Sequence, residues 1–127
     1  MLDVYPVRGQ PAELVFSVVR LLGTGAADPT KQRGDGITAT YVSTGKYRLT
    51  FAEHLGTFEG AWGQFGQAAP AAGATNIISI DHDSYSASTR TLDFFVEDPG
   101  TEAAAPALAD LASTDKVFLL IAFSRTS

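Results

Sequence analysis

Cysteine is absent from the 127 residues of this chain, which excludes disulfide bonds and thiolate chemistry. Small secreted domains usually depend on disulfides, so this absence favours assembly in a reducing cytoplasm. Residues 1–6 also lack the basic start and the long apolar run of a signal peptide. No apolar run approaches the roughly 20 residues of a membrane helix, because the longest, residues 117–123, has only the length of a strand. The sequence therefore predicts neither secretion nor a membrane-spanning helix.

Positive charge is also scarce. Nine Lys and Arg against fourteen Asp and Glu give a formal net charge of −5, and the basic residues are scattered rather than clustered. A nucleic acid or an anionic membrane surface would be repelled by such a chain. We therefore expect neither nucleic acid nor membrane as a partner.

Motifs for catalysis or metal binding are few. The most site-like cluster is Asp81-His82-Asp83, but neighbouring strand residues point to opposite faces, and a zinc site usually has three or four ligands. No G-x-S-x-G motif marks a nucleophilic serine. We predict a non-enzymatic protein with no cofactor and no metal. A rival hypothesis, an enzyme that uses His54, His82 and Asp83, requires these side chains to converge in one pocket.

The residues that are present favour β-strands. Residues 12–22 fit a helical stripe tolerably, but their β-branched and aromatic content predicts a strand. Residues 37–51 alternate apolar and polar side chains on both sides of a turn at Gly45, which predicts a β-hairpin with one solvated face. Residues 76–80 and 91–96 predict a second hairpin, and the turn-forming side chains of residues 81–90 predict its link.

The remaining segments complete the predicted fold. Loops are expected at residues 23–36 and 67–74, and a strand bent at glycine at residues 54–66. The Ala-rich residues 101–113 allow one short helix around Leu108 to Leu111. Residues 116–123 are apolar on both faces, which predicts a strand that is central or packs against a second sheet or subunit. The sum is an all-β protein: an antiparallel β-sandwich or small barrel of six to seven strands, with an extended N-terminal arm (residues 1–11) and a single β domain (residues 12–127).

Several large apolar side chains are candidates for an assembly interface. The N-terminal arm carries three of them. A second group consists of three aromatic residues that lie among glycines and are spaced by four and then three positions. Aromatic residues in such a setting more often belong to the core than to an interface. One further aromatic residue interrupts the alternation of residues 91–96 and falls on the nominally solvated face. The candidate interface residues are Leu2, Val4 and Tyr5, then Phe58, Trp62 and Phe65, and finally Phe95.

Two stretches carry a family resemblance. The first runs from Gly34-Asp35-Gly36-Ile37 into Thr44-Gly45-Lys46-Tyr47-Arg48-Leu49-Thr50-Phe51, and the second is Tyr85-Ser86-Ala87-Ser88-Thr89-Arg90-Thr91-Leu92, followed by a terminal apolar strand ending at Phe123-Ser124. This pattern, over about half of the chain, resembles small β-rich virion proteins of tailed bacteriophages, among them capsid decoration (cement) proteins.

The resemblance implies a non-catalytic virion protein that is assembled in the host cytoplasm and is often a homotrimer. Such a protein sits on the capsid surface, where it binds and stabilises the lattice of the major capsid protein. A second hypothesis comes from the aromatic residues around Trp62, since aromatic rings also stack on sugars. In that case the chain is a carbohydrate- or receptor-binding module of a tail fibre or a similar surface assembly.

Overall fold

The computed structural model describes residues 12–67, 75–100 and 105–126. These residues form nine strands, and all the pairings between them are antiparallel. The predicted arm, residues 1–11, and most of the predicted loop at residues 67–74 lie outside the described residues. The strands are β1 (Ala12–Leu22), β2 (Thr30–Arg33), β3 (Ile37–Ser43), β4 (Lys46–Phe51), β5 (Thr57–Gly66), β6 (Ile77–Ser86), β7 (Thr91–Asp98), β8 (Ala107–Leu108) and β9 (Lys116–Thr126).

The strands form two sheets. The four-stranded sheet has the order β2-β1-β9-β5, and the five-stranded sheet has the order β3-β4-β7-β6, with β8 paired to β7. Their inner faces share one hydrophobic core, which is the arrangement of a β-sandwich. The predicted fold class is therefore confirmed. The strand number is higher than expected because the two shortest strands, β2 and β8, carry no alternating pattern.

The core follows the period-two alternation of the strands. On β9, every second side chain, Val117, Leu119, Ile121 and Phe123, is fully buried. Aromatic contacts connect the two sheets: the ring of Phe123 on β9 packs edge-on against that of Phe51 on β4, at a centroid distance of 5.3 Å. Burial of each such side chain contributes about 1.5–3 kcal/mol. The strand predicted at residues 116–123 is confirmed, and of the alternatives left open for it the structure shows a central strand, since β9 lies between β1 and β5.

The turn between β3 and β4 needs its glycine. Gly45 has φ +67, and a Cβ there would lie 2.8 Å from Ala109 N and from Val96 O. Its carbonyl accepts a hydrogen bond from Val96 N. Any side chain at this position would clash with backbone and adopt a strained left-handed conformation. The predicted hairpin around Gly45 is confirmed.

The predicted helix around Leu108 to Leu111 is wrong, since the described residues contain no helix. Residues 107–108 instead pair with the end of β7. Leu111 is fully buried, and its amide donates to the Tyr47 hydroxyl at 2.8 Å. The backbone of this segment thus finds its partners in the sandwich rather than within a helical turn.

The predicted loop at residues 81–90 also needs correction, because β6 continues to Ser86. Asp81 pairs with Asp93 and Ser86 with Thr91, so residues 82–85 bulge opposite a single residue of β7. The Ser84 hydroxyl fills the gap: it accepts from Asp93 N at 2.8 Å and donates to Asp81 O at 2.6 Å. Residues 82–85 therefore form a bulge within β6, and the turn to β7 follows after Ser86.

Candidate functional site: the outer face of the four-stranded sheet

The four-stranded sheet carries apolar side chains on the face that points away from the core. The strand register places Val18 of β1 opposite Leu120 of β9, and Leu120 opposite Trp62 of β5. Alternation along each strand adds further members to this surface. We call it the apolar face; it consists of Leu14, Phe16, Val18, Trp62, Phe118, Leu120 and Ala122.

Much of the apolar face is open to solvent. Four of the seven large hydrophobic side chains that are exposed within the described residues belong to it, with exposed fractions of 59% for Trp62, 52% for Phe16, 40% for Leu14 and 39% for Phe118. Single exposed hydrophobic residues are ordinary, but a contiguous apolar patch of several hundred Å² marks an interaction site. The clustering on one sheet face makes this surface the candidate functional site.

Charged residues lie at the two ends of the apolar face. At one end Arg20 lies opposite Arg33 on β2, and Lys116 begins β9. At the other end Glu59 accepts a hydrogen bond from the Ser124 hydroxyl. An apolar centre with a polar rim is the usual anatomy of a protein–protein interface.

A β-bulge decides which aromatic residue of β5 reaches this face. Phe58 and Trp62 are four residues apart, so a regular strand would place both on the same side. The register shifts between Phe58 and Gly60, and this extra residue, Glu59, puts Phe58 inside and Trp62 outside. Phe58 stacks on Tyr85 at 5.2 Å, and Phe65 also packs against the core.

The other candidate interface residues lie elsewhere. Phe95 is half-buried in the other sheet, where the ammonium group of Lys46 lies 5.7 Å from its ring centroid. Leu2, Val4 and Tyr5 lie outside the described residues. Of the seven candidates, the apolar face thus contains Trp62.

Most of the apolar face was not among the interface candidates of the sequence. The signal was present: residues 116–123 are apolar on both faces, and residues 14, 16 and 18 repeat at period two. The sequence left open whether this strand is central or packs against a second sheet or subunit. The fold places no described strand over it.

The residues proposed for catalysis do not share one cleft. His54 lines a shallow cleft together with Gly56, Thr57 and Ser124, and neither His82 nor Asp83 lines it. The His82 ring packs 4.7 Å from that of Phe58. Within the described ranges, no group of three or more His, Cys, Asp or Glu side chains is placed to hold a metal ion.

Compared with family models, curated proteins and solved structures, the chain gives no significant match. In the part of the chain that the structure describes, no helix is long and apolar enough to cross a membrane.

Proposed function

We propose that this chain is a non-catalytic structural protein that binds other protein subunits through the apolar face. The observation that supports this proposal is the exposure of Phe16, Trp62 and Phe118 together on one rigid sheet. Water in contact with such a surface raises the free energy of the isolated chain, and burial beneath a partner removes that cost. An exposed sheet face suits a protein surface better than a small molecule, which needs a more enclosed, concave site.

The proposed setting is the capsid surface of a tailed bacteriophage, where the chain acts as a decoration (cement) protein assembled in the host cytoplasm. This part of the proposal rests on the resemblance of residues 34–37, 44–51 and 85–92, and of the terminal apolar strand ending at Phe123-Ser124, to such proteins. The proposed partners are the major capsid protein lattice and further copies of the chain in a homotrimer. A trimer that contacts several capsid subunits at once gains affinity because its contacts are linked.

Binding to capsids that lack their decoration layer tests this function. The wild-type chain should co-sediment with such capsids, and the double variant Phe16→Ser/Phe118→Ser should bind at least roughly tenfold more weakly, since central apolar side chains dominate interface energies. A matched control, Thr38→Ser/Thr40→Ser on the other sheet, should bind like wild type. Failure of the wild-type chain to bind would reject the capsid setting.

Light scattering coupled to size exclusion tests the trimer separately. A mass of three chains for the wild type, which falls to one chain in the Phe16→Ser/Phe118→Ser variant, would place the trimer contact on the apolar face. A trimer that persists in this variant would assign the apolar face to the capsid and the trimer contact to another surface. A monomeric wild type would contradict trimer formation away from the shell.

A second candidate function is a carbohydrate- or receptor-binding module of a tail fibre. The observation that favours it is Trp62, the most exposed large hydrophobic side chain of the described residues at 59%, because exposed indole rings stack on the apolar faces of sugars. The chain has a single Trp, so its fluorescence reports on this site alone. Unchanged fluorescence during titration with sugars, together with a glycan array without hits, would reject this function.

A further inference from the structure

The edge of β1 is open along half of its length. β1 pairs with β9 over the whole strand, whereas on its other side β2 pairs only with Arg20 to Leu22. Next along the chain, Gly34 lies close to Val18 O and to the Val19 side chain. Residues 13–17 have no strand partner on that side among the described residues. An unpaired edge presents a row of N–H and C=O groups that an extended chain can pair with.

A groove lies directly beneath this open edge. It has a volume of about 300 Å³ and separates β1 from the end of the β3–β4 hairpin. Ile37 and Phe51, which are buried, and the half-buried Leu55 contribute apolar side chains to its lining. Val15 of β1 lines the opposite wall. The groove therefore places apolar side chains and a polar rim beside the unpaired backbone.

The rim of the groove is acidic. Asp35 and Glu53 both line it and are exposed, and no cation of the described residues forms an ion pair with either. The only basic lining residue, Arg125, lies 3.6 Å from Glu13, which offsets its charge. The charge that complements this rim is positive.

We propose that residues 13–17 and the groove beneath them bind an extended segment of a partner polypeptide by β-strand addition. Main-chain hydrogen bonds to β1 supply affinity, and pockets for alternate side chains supply specificity. The segment carries an apolar side chain that enters the groove between Val15 and Phe51, and a Lys or Arg beside Asp35 and Glu53. This site adjoins the apolar face at Phe16, which lines the groove as well, but it does not depend on the proposed function.

A set of short peptides tests this site on the full-length chain. The probe is a seven-residue peptide of alternating Val and Lys; one comparison peptide has Glu in place of Lys, and another has N-methylated backbone amides. NMR of the chain should show shifts in the amides of residues 13–17 with the Lys peptide. The Glu peptide should bind at least roughly tenfold more weakly, and the N-methylated peptide should not bind, since it cannot donate to a strand edge.

Two matched double variants test whether the acidic rim of the groove attracts the Lys peptide. Asp35→Asn/Glu53→Gln should weaken binding of the Lys peptide severalfold, and Asp83→Asn/Glu97→Gln, which changes the same chemical groups away from the groove, should not. Phe118→Ser should leave peptide binding intact, so failure of the apolar face and failure of this site are distinguishable. Hydrogen exchange adds a check, because the edge amides of residues 13–17 should exchange fast alone and slowly with peptide.

Several outcomes would overturn this inference. One is absence of binding of the Lys peptide up to about 1 mM. Equal binding of the N-methylated peptide would show that the groove takes side chains without strand pairing. Slow exchange of the edge amides in the chain alone would show that its own residues already cover β1.

Discussion

The outer faces of the two sheets differ in composition although they cover the same core. The five-stranded sheet presents cross-strand pairs of polar side chains, such as Thr38 opposite Thr50 and Thr50 opposite Thr91. The four-stranded sheet presents the apolar face, where Leu120 lies between Val18 and Trp62. The five-stranded sheet also exposes Val42, Ile77 and Leu108, but its Thr pairs are typical of a sheet surface in water, whereas the second face resembles the inner face of a sandwich that has lost its cover.

An ionic cluster completes the polar face. Arg48 donates to both oxygens of Asp93, from Nε at 2.7 Å and from an Nη at 3.1 Å, and Lys46 Nζ lies 3.6 Å from the same carboxylate. The hydrogen bond and the charge of Asp93 raise the pKa of Arg48 above its ordinary value. Asp93 is only 5% exposed. The charged groups of the five-stranded sheet therefore pair with one another, whereas the side chains of the apolar face have no described residues packed over them.

A shared core therefore does not decide the composition or the role of an outer face. A sheet face that only meets water can take Thr, Arg and Asp at little cost. The most exposed side chains of the apolar face, Phe16 and Trp62, contribute little to the stability of the isolated chain, because they stay in contact with water. Substitutions on the two sides of β9 and on the two outer faces should separate these roles.

The largest effect should come from the inner side of β9. Phe123 is fully buried and contacts the rings of Phe51, Phe58 and Tyr85, so Phe123→Ala should lower the free energy of unfolding by about 3–5 kcal/mol. Phe118→Ala, on the outer side of the same strand, should cost less than about 1 kcal/mol. Urea denaturation measures both. Equal losses would contradict the assignment of the two faces.

The second largest effect should come from the ionic cluster on the polar face. Asp93→Ala removes a buried carboxylate that accepts two hydrogen bonds from Arg48, and should cost about 1.5–3 kcal/mol. The loss is limited because Arg48 stays accessible to water. Thr38→Ala, an exposed position on the same face, should change stability by less than about 0.5 kcal/mol. If Asp93→Ala behaved like Thr38→Ala, the cluster would contribute no stability.

A smaller effect should come from Tyr47 in the core that both faces share. Its hydroxyl accepts a hydrogen bond from Leu111 N, so Tyr47→Phe leaves a buried amide without this partner and should cost about 1–2 kcal/mol near neutral pH. Thermal or urea unfolding measures this loss. An unchanged stability would show that the Leu111 amide finds another partner.

The same variant tests a pH dependence. Burial raises the pKa of Tyr47 in the folded chain above the ordinary value of 10.0. The unfolded chain therefore loses this proton first as pH rises, and the contribution of Tyr47 is present below about pH 10 and is lost above it. The stability difference between wild type and Tyr47→Phe should shrink above pH 10. Burial also raises the pKa of Tyr85, so the stability difference between wild type and Tyr85→Phe should change in the same direction above pH 10.

The smallest effect on stability should come from the apolar face. Trp62→Gln and Phe16→Ser replace side chains that are more than half exposed, and each should change the free energy of unfolding by less than about 0.5 kcal/mol. Binding to capsid or to further copies of the chain should nevertheless weaken by at least roughly tenfold. Loss of stability comparable to that of Phe123→Ala would mean that these side chains support the fold rather than an interface.

Much of the fold was predictable because side-chain alternation is local. The hairpin around Gly45 follows from the period of two and from the turn chemistry of glycine. The strand over residues 12–22 follows from its β-branched and aromatic content, and the strand at residues 116–123 from a short apolar run. The strands β2 and β8 were not predictable, because they are too short to show a period and form only by pairing with residues distant in sequence. The candidate site was predictable only in part, through Trp62 and the two-sided strand.

Local residue patterns set the β class, the central hairpin and the apolar character of both sides of β9. Which side of β9 is covered depends on the sheet order, and that order comes from pairings between distant strands. The bulge at Glu59, which puts Phe58 and Trp62 on opposite faces, likewise depends on pairing with a distant strand. Alternation along a strand is set by backbone geometry, whereas a bulge and a sheet neighbour are set by contacts that no single segment contains.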